Sequence, residues 1–188
     1  MKNLLASLVA VSAVAGSLTG CAGRPLFQPP PVEAIVLLEA PLPASIAVYI
    51  PPDIADKSTH FSYRYHTLWF PEGKLIERTA LRAFSQYFAT VALRQQMPQA
   101  DRAVKIRGYS VLNPLIGSYY VDVIAECFTS EGELLEAFKA SHVENAAYFA
   151  YTPIFEYTYL KAFQKLGSQL AGSEKCAGTL RSSAAQSN

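Results

Sequence analysis

Charge is scarce in this chain. Only 16% of its 188 residues are Asp, Glu, Lys or Arg, and the formal net charge is +1. Nucleic acid is recognised largely through counterion release by clustered cations, and here Lys105, Arg107, Lys139, Lys161 and Lys165 are scattered among acids. A polyanion is therefore not an expected partner. Histidine and cysteine are equally sparse, at three each, and none of His60, His66 and His142 stands at a helical i, i+4 spacing from another metal-type ligand. Zinc is not expected, and no metal or cofactor is. No apolar run reaches the length of about 20 residues needed to cross a bilayer, so a membrane-spanning helix is excluded too. What the chain has in quantity is apolar and aromatic side chains, at 51% and 12%, which suits a packed domain rather than a disordered one.

The amino terminus reads MKNLLASLVAVSAVAGSLTGCAGR. Lys2, an apolar run over residues 4–15 and then small residues form the layout of a secretory signal. Leu18-Thr19-Gly20-Cys21 resembles the lipobox of bacterial lipoproteins. The resemblance implies cleavage after residue 20, acylation of Cys21 as the first mature residue, and a palmitate-type anchor; Ala22 in place of Asp implies sorting to the outer membrane. Each buried methylene contributes about 0.8 kcal/mol, so two or three acyl chains hold a small domain stably at the surface. Residues 21–43 carry Pro25, Pro29, Pro30, Pro31, Pro41 and Pro43, a density that blocks helix and reads as an extended tether, with residues 34–38 (AIVLL) a candidate first or edge strand. One folded domain is expected over residues 44–172, followed by a Ser-, Ala- and Gly-rich flexible tail at 173–188.

Within the domain, residues 45–50 (SIAVYI) suit a buried strand. Residues 60–70 (HFSYRYHTLWF) are a second strand or an aromatic loop. Ile76, Ala80, Leu81, Phe84, Tyr87 and Phe88 recur at spacings of three and four, which predicts an amphipathic helix over residues 74–88. A brief strand at 91–94, strands at 102–112 and 118–128, a turn at Ser130-Glu131-Gly132 and a returning strand at 134–143 follow. A last helix begins at Thr152-Pro153 and presents Phe155, Tyr159, Ala162, Phe163, Leu166 and Leu170 on its inner face. Both helices must cover the same apolar side of the sheet, so the fold class is α+β: a two-layer sandwich of about four or five mainly antiparallel strands with two helices on one face. This layout, over roughly residues 45–170, resembles that of small envelope lipoproteins of the LptE-like, PelC-like and YajG-like kinds. Only the lipobox is specific, so only Cys21 takes a role from the resemblance.

Catalytic chemistry finds no foothold. Cys127 as a nucleophile with His142 as base lacks any surrounding motif, and parity puts Cys127 among Val121, Val123 and Ala125, where a thiol is inert. With Cys21 acylated, Cys127 and Cys176 are the one pair left for a disulfide in an oxidising compartment, provided that the tail folds back. Asp122 and Glu126 are four residues apart on one strand, too far to act on one bond, and are expected to pair with Lys105 and Arg107 across strands. His60 and His66 share strand parity, with Asp56 nearby, and read as residues of an aromatic strand rather than ligands. The aromatic excess remains. Phe61, Tyr63, Tyr65 and Trp69 fall on one face of an alternating strand, either roofing the core or meeting a partner, and further rings gather at residues 148–159. The expected function is that of a non-enzymatic accessory or assembly subunit of a cell-envelope complex, anchored to the outer membrane on its periplasmic side and binding another envelope protein or itself. The alternative is a module that holds a glycan or a lipid in an aromatic groove.

Overall fold

The computed structural model describes residues 40–63, 66–97, 103–113, 115–129, 131–145 and 151–176. The stretch read as a signal, Cys21 and the 34–38 segment lie outside those residues, as do Tyr65 and residues 177–188. The elements run β1 (Leu42–Tyr49), α1 (Pro52–Ala55), β2 (Thr59–Tyr63), β3 (His66–Phe70), α2 (Glu72–Phe84), β4 (Phe88–Arg94), β5 (Ala103–Asn113), β6 (Ser118–Phe128), β7 (Leu134–Asn145) and α3 (Tyr151–Gly172). Five strands form one sheet in the order β4-β1-β5-β6-β7, and β2 and β3 form a separate two-stranded sheet. The chain is an α+β two-layer sandwich.

The sheet is mixed rather than mainly antiparallel. β1 lies between β4 and β5 and runs parallel to both, whereas β5-β6-β7 is an antiparallel meander. Parallel neighbours cannot be joined by a tight turn, and α2 supplies the crossover from β1 to β4. β1 starts at Leu42, inside the stretch read as tether, and Pro43 is accommodated where the register with β4 shifts between Leu42 and Ser45.

The helix predicted over 74–88 ends at Phe84. Tyr87 and Phe88 continue the three-and-four spacing, yet the chain turns at Ser85 and Gln86, so these buried rings belong to a turn and to the first position of β4. The 60–70 segment is not one strand but a hairpin, with Phe61 opposite Leu68 and His60 opposite Trp69. Because Tyr63 pairs with His66, β2 and β3 run in opposite directions, which breaks the single-strand parity on which a shared face for Phe61, Tyr63, Tyr65 and Trp69 rests. β6 spans residues 118–128 as expected, with its odd positions from Tyr119 to Cys127 buried.

The core lies between the helices and one face of the sheet. Ile76, Phe84, Phe155, Phe163 and Leu166 from the helices meet Val48, Ile106, Val121, Val123 and Ala125 from the strands, all buried. α2 and α3 come together over β5 at Gly108, where an added Cβ would lie 2.8 Å from Ile76 Cδ1 and 3.1 Å from Tyr159. Removing about 25 cal/mol per Å² of apolar surface from water is the main force holding these layers together.

Beyond α3, Cys176 is fully buried and forms a disulfide with Cys127, their Cα atoms 6.2 Å apart. Residues 173–176 are thus part of the folded domain and not of a free tail. On the other face of the sheet, Lys105 pairs with Glu126 at 3.3 Å. Asp122 departs from the expected pairing: its partner is Lys139 of β7 at 2.7 Å, because the register sets Arg107 opposite Ile124.

Candidate functional site

One carboxylate is sealed inside the domain. Glu72 opens α2, is 0% exposed, and forms an ion pair with Lys57 Nζ at 2.8 Å. Thr59 Oγ1 donates to the same Glu72 oxygen, Oε2, while Ser110 Oγ and Tyr159 Oη (2.5 Å) donate to Oε1. Burial raises the pKa of Glu72, but the hydrogen bonds from Lys57, Ser110, Thr59 and Tyr159 outweigh it and hold the group below its ordinary value. Burial, reinforced by the Glu72 charge, keeps the phenols of Tyr119 and Tyr159 well above theirs, so both remain protonated. A carboxylate with a lowered pKa and no exposed surface cannot act on a substrate. What it does is tie the segment after α1, the first strand of the hairpin, β5 and α3 to the start of α2.

Two further contacts fix the hairpin. Gly73 donates its N–H to Lys57 O at 2.9 Å, and α2 approaches α1 so closely that a Cβ on Gly73 would lie 2.1 Å from Ala55 O. On the inner face of the hairpin, Phe61 packs edge-on against Tyr119 and Phe155, and Phe70 lies 4.8 Å from Phe155 between ring centroids. Phe61 is therefore a roof of the core, not a recognition residue.

Trp69 is placed oppositely. It is 65% exposed on the outer face and stacks on His60, with ring centroids 4.5 Å apart. Next to this pair, the hydroxyls of Ser62 and Thr67 lie 3.3 Å apart across the strands. The candidate binding residues thus divide: Phe61 inward, Trp69 outward, Tyr63 in the backbone of β2, and Tyr65 outside the described residues. Parity could not separate Phe61 from Trp69 without locating the turn between them.

A second exposed apolar surface had no signal in the sequence beyond its uncharged run. The turn between β5 and β6 carries Leu115 and Ile116, 91% and 61% exposed. Val111 and Tyr109 lead up to it on the open face of β5, and Val111 stands opposite Tyr120, which stands opposite Val143. Turns ordinarily expose polar residues; this one exposes two branched aliphatic side chains. Because Tyr49 of β1 is level with Lys105 of β5, the start of β1 and the end of β5 lie at opposite poles of the sheet, roughly 50 Å apart at strand rise.

The remaining candidates are quickly placed. Cys127 sits opposite Glu136 and is committed to the disulfide, whereas His142 sits opposite Val121, so the two do not form a dyad. His142 Nε2 contacts Glu144 at 2.9 Å, and burial lowers its pKa against the raising effect of that carboxylate. Among the described residues no three His, Cys, Asp or Glu side chains converge on a metal-sized site. A cleft of about 410 Å³ at the carboxyl ends of β1 and β4 has Ile50 and Leu93 in its lining and charges of both signs, Lys74 and Arg94 with Asp56 and Glu77. Among the described residues no helix is long and apolar enough to cross a membrane.

No family model and no curated protein matches this chain. A solved structure described as that of an uncharacterized protein aligns with 71% of this chain and 94% of its own, at a TM-score of 0.47 and 9% identity. The likeness names no activity, ligand or partner.

Proposed function

We propose that this chain is a lipid-anchored protein of the outer membrane, facing the periplasm, that works as a non-enzymatic accessory or assembly subunit by binding an envelope protein. The observation that carries the reading is the uncharged apolar turn at Leu115 and Ile116, continued by Val111 and Tyr109. On this reading the chain from Cys21 joins the domain at Leu42, and Leu42 and the apolar turn are at opposite poles of the sheet, so the turn is the pole farther from the point of attachment. The two aliphatic side chains supply desolvation energy, and their placement on a disulfide-braced meander limits the entropy lost on docking.

Two measurements test this. Cys21→Ser removes the thiol that accepts the acyl group and should move the protein from the membrane to the soluble fraction without altering its melting temperature; unchanged membrane fractionation would refute the anchor. A photo-crosslinking amino acid at position 115 or 116 should capture a discrete envelope protein in cells, while the same group at Glu133, in the opposite turn, should not. Equal capture at all three positions, or at none, would refute docking through this pole.

A further inference from the structure

We infer that the outer face of the β2–β3 hairpin is a sugar-binding platform, with Trp69 as the stacking surface for a neutral pyranose ring. The inference is independent of the protein-docking reading, because it uses different residues on a different element.

The hairpin alternates strictly. Thr59, Phe61 and Phe70 face inward and are consumed by the Glu72 network and the aromatic core. His60, Ser62, Thr67 and Trp69 form the outer row, and all four are exposed. Packing does not account for Trp69: its ring touches His60 and leaves most of its surface open. The imidazole holds the indole from one side, so the ring is already ordered before any ligand arrives and little rotamer entropy is lost on binding.

The chemistry of the row selects the ligand. A pyranose offers an apolar face of C–H bonds, polarised toward hydrogen, that suits the negative face of an aromatic ring, and a rim of hydroxyls that need donors and acceptors. Ser62 and Thr67 stand one cross-strand step from the indole, about 7 Å along the strand, where they meet the hydroxyls of a stacked or adjoining sugar. Each can donate or accept, as can the His60 ring. Competing ligands fit less well. A nucleotide brings phosphate and calls for cations, and the outer row of His60, Ser62, Thr67 and Trp69 holds no Lys or Arg, Arg64 between the strands lying outside the described residues. An acyl chain needs an enclosed channel, whereas the four residues of this row are exposed and would leave most of the chain in water.

Trp69 is the single tryptophan of the protein, so tryptophan emission, excited selectively over that of the tyrosines, reports on this site alone. Cellohexaose, which carries only hydroxyls, and N-acetylchitohexaose, which adds acetamides, should be titrated into the intact protein. At least one should give a saturable change in Trp69 emission; which one does so names the sugar class. By calorimetry, Trp69→Ala should weaken that binding about tenfold or more. His60→Ala should weaken it less, as a loss of pre-ordering. Tyr157→Ala, at an exposed aromatic of α3, should leave it unchanged. All three side chains are exposed, so the variants should keep the wild-type melting temperature, and circular dichroism checks that they do. The absence of a saturable response to both sugars would overturn the inference. So would binding that survives Trp69→Ala, or a Trp69-dependent protein adduct in place of a sugar response.

Discussion

Substituting Glu72 tests the claim that one buried carboxylate fastens the hairpin to the domain. Its side chain is fully inaccessible and receives four donors, of which Tyr159 is fully buried and Lys57 is 30% exposed. Glu72→Gln removes the charge, leaves Lys57 without its ion-pair partner, and forces hydroxyls that now donate to turn and accept from the new amide N–H₂. Removing one partner of a buried ion pair costs about 3 to 5 kcal/mol. Lys57 can swing to water, which places the expected loss near the lower end, at about 3 kcal/mol, a large part of the 5 to 15 kcal/mol typical of a domain. Urea denaturation at pH 7, followed by circular dichroism, measures it. The pH dependence gives a second readout with a defined sign. The folded pKa of Glu72 lies below its ordinary 4.5, so its stabilisation is complete above that value and is lost as the pH falls through the folded pKa. The stability gap between wild type and Glu72→Gln should therefore be constant at neutral pH and narrow on acidification below 4.5. Trp69 emission should show the hairpin loosening in the variant at urea concentrations where the main sheet is still intact. A loss under about 1 kcal/mol, the value of an exposed pair, with no change in acid dependence, would refute the reasoning.

Reduction of the Cys127–Cys176 bond should be strongly destabilising: it opens a loop with a sequence separation of 49 residues, worth about 4 kcal/mol in unfolded-chain entropy, and should lower the melting temperature by on the order of 10 °C. Mass spectrometry after alkylation of the unfolded, unreduced protein should find neither cysteine modified; a labelled Cys127 would refute the pairing. Gly73→Ala drives a methyl into Ala55 O and Ile54 O, backbone atoms that cannot step aside, and should cost about 1 to 3 kcal/mol in chemical denaturation. A neutral result there would mean that α1 is not packed against the start of α2.

Much of this fold was written locally. The alternation of residues 118–128, the inner face of the last helix and the core position of Cys127 each follow from a period that one element imposes on its own side chains, and the structure places all three accordingly. The lipobox-like Leu18-Thr19-Gly20-Cys21 is likewise a contiguous motif, readable without any fold. Three things were decided only by tertiary structure. The parallel seat of β1 between β4 and β5 depends on a crossover and on pairing between residues more than 40 apart, which no local period encodes. The opposite fates of Phe61 and Trp69 depend on where the chain reverses, since moving a turn by one residue exchanges the two faces of a hairpin. The convergence of Lys57, Thr59, Ser110 and Tyr159 on Glu72 draws on three other stretches of chain, and each residue alone reads as an ordinary polar side chain. Side-chain periodicity fixes which residues an element buries; only the packing of elements fixes what those residues meet.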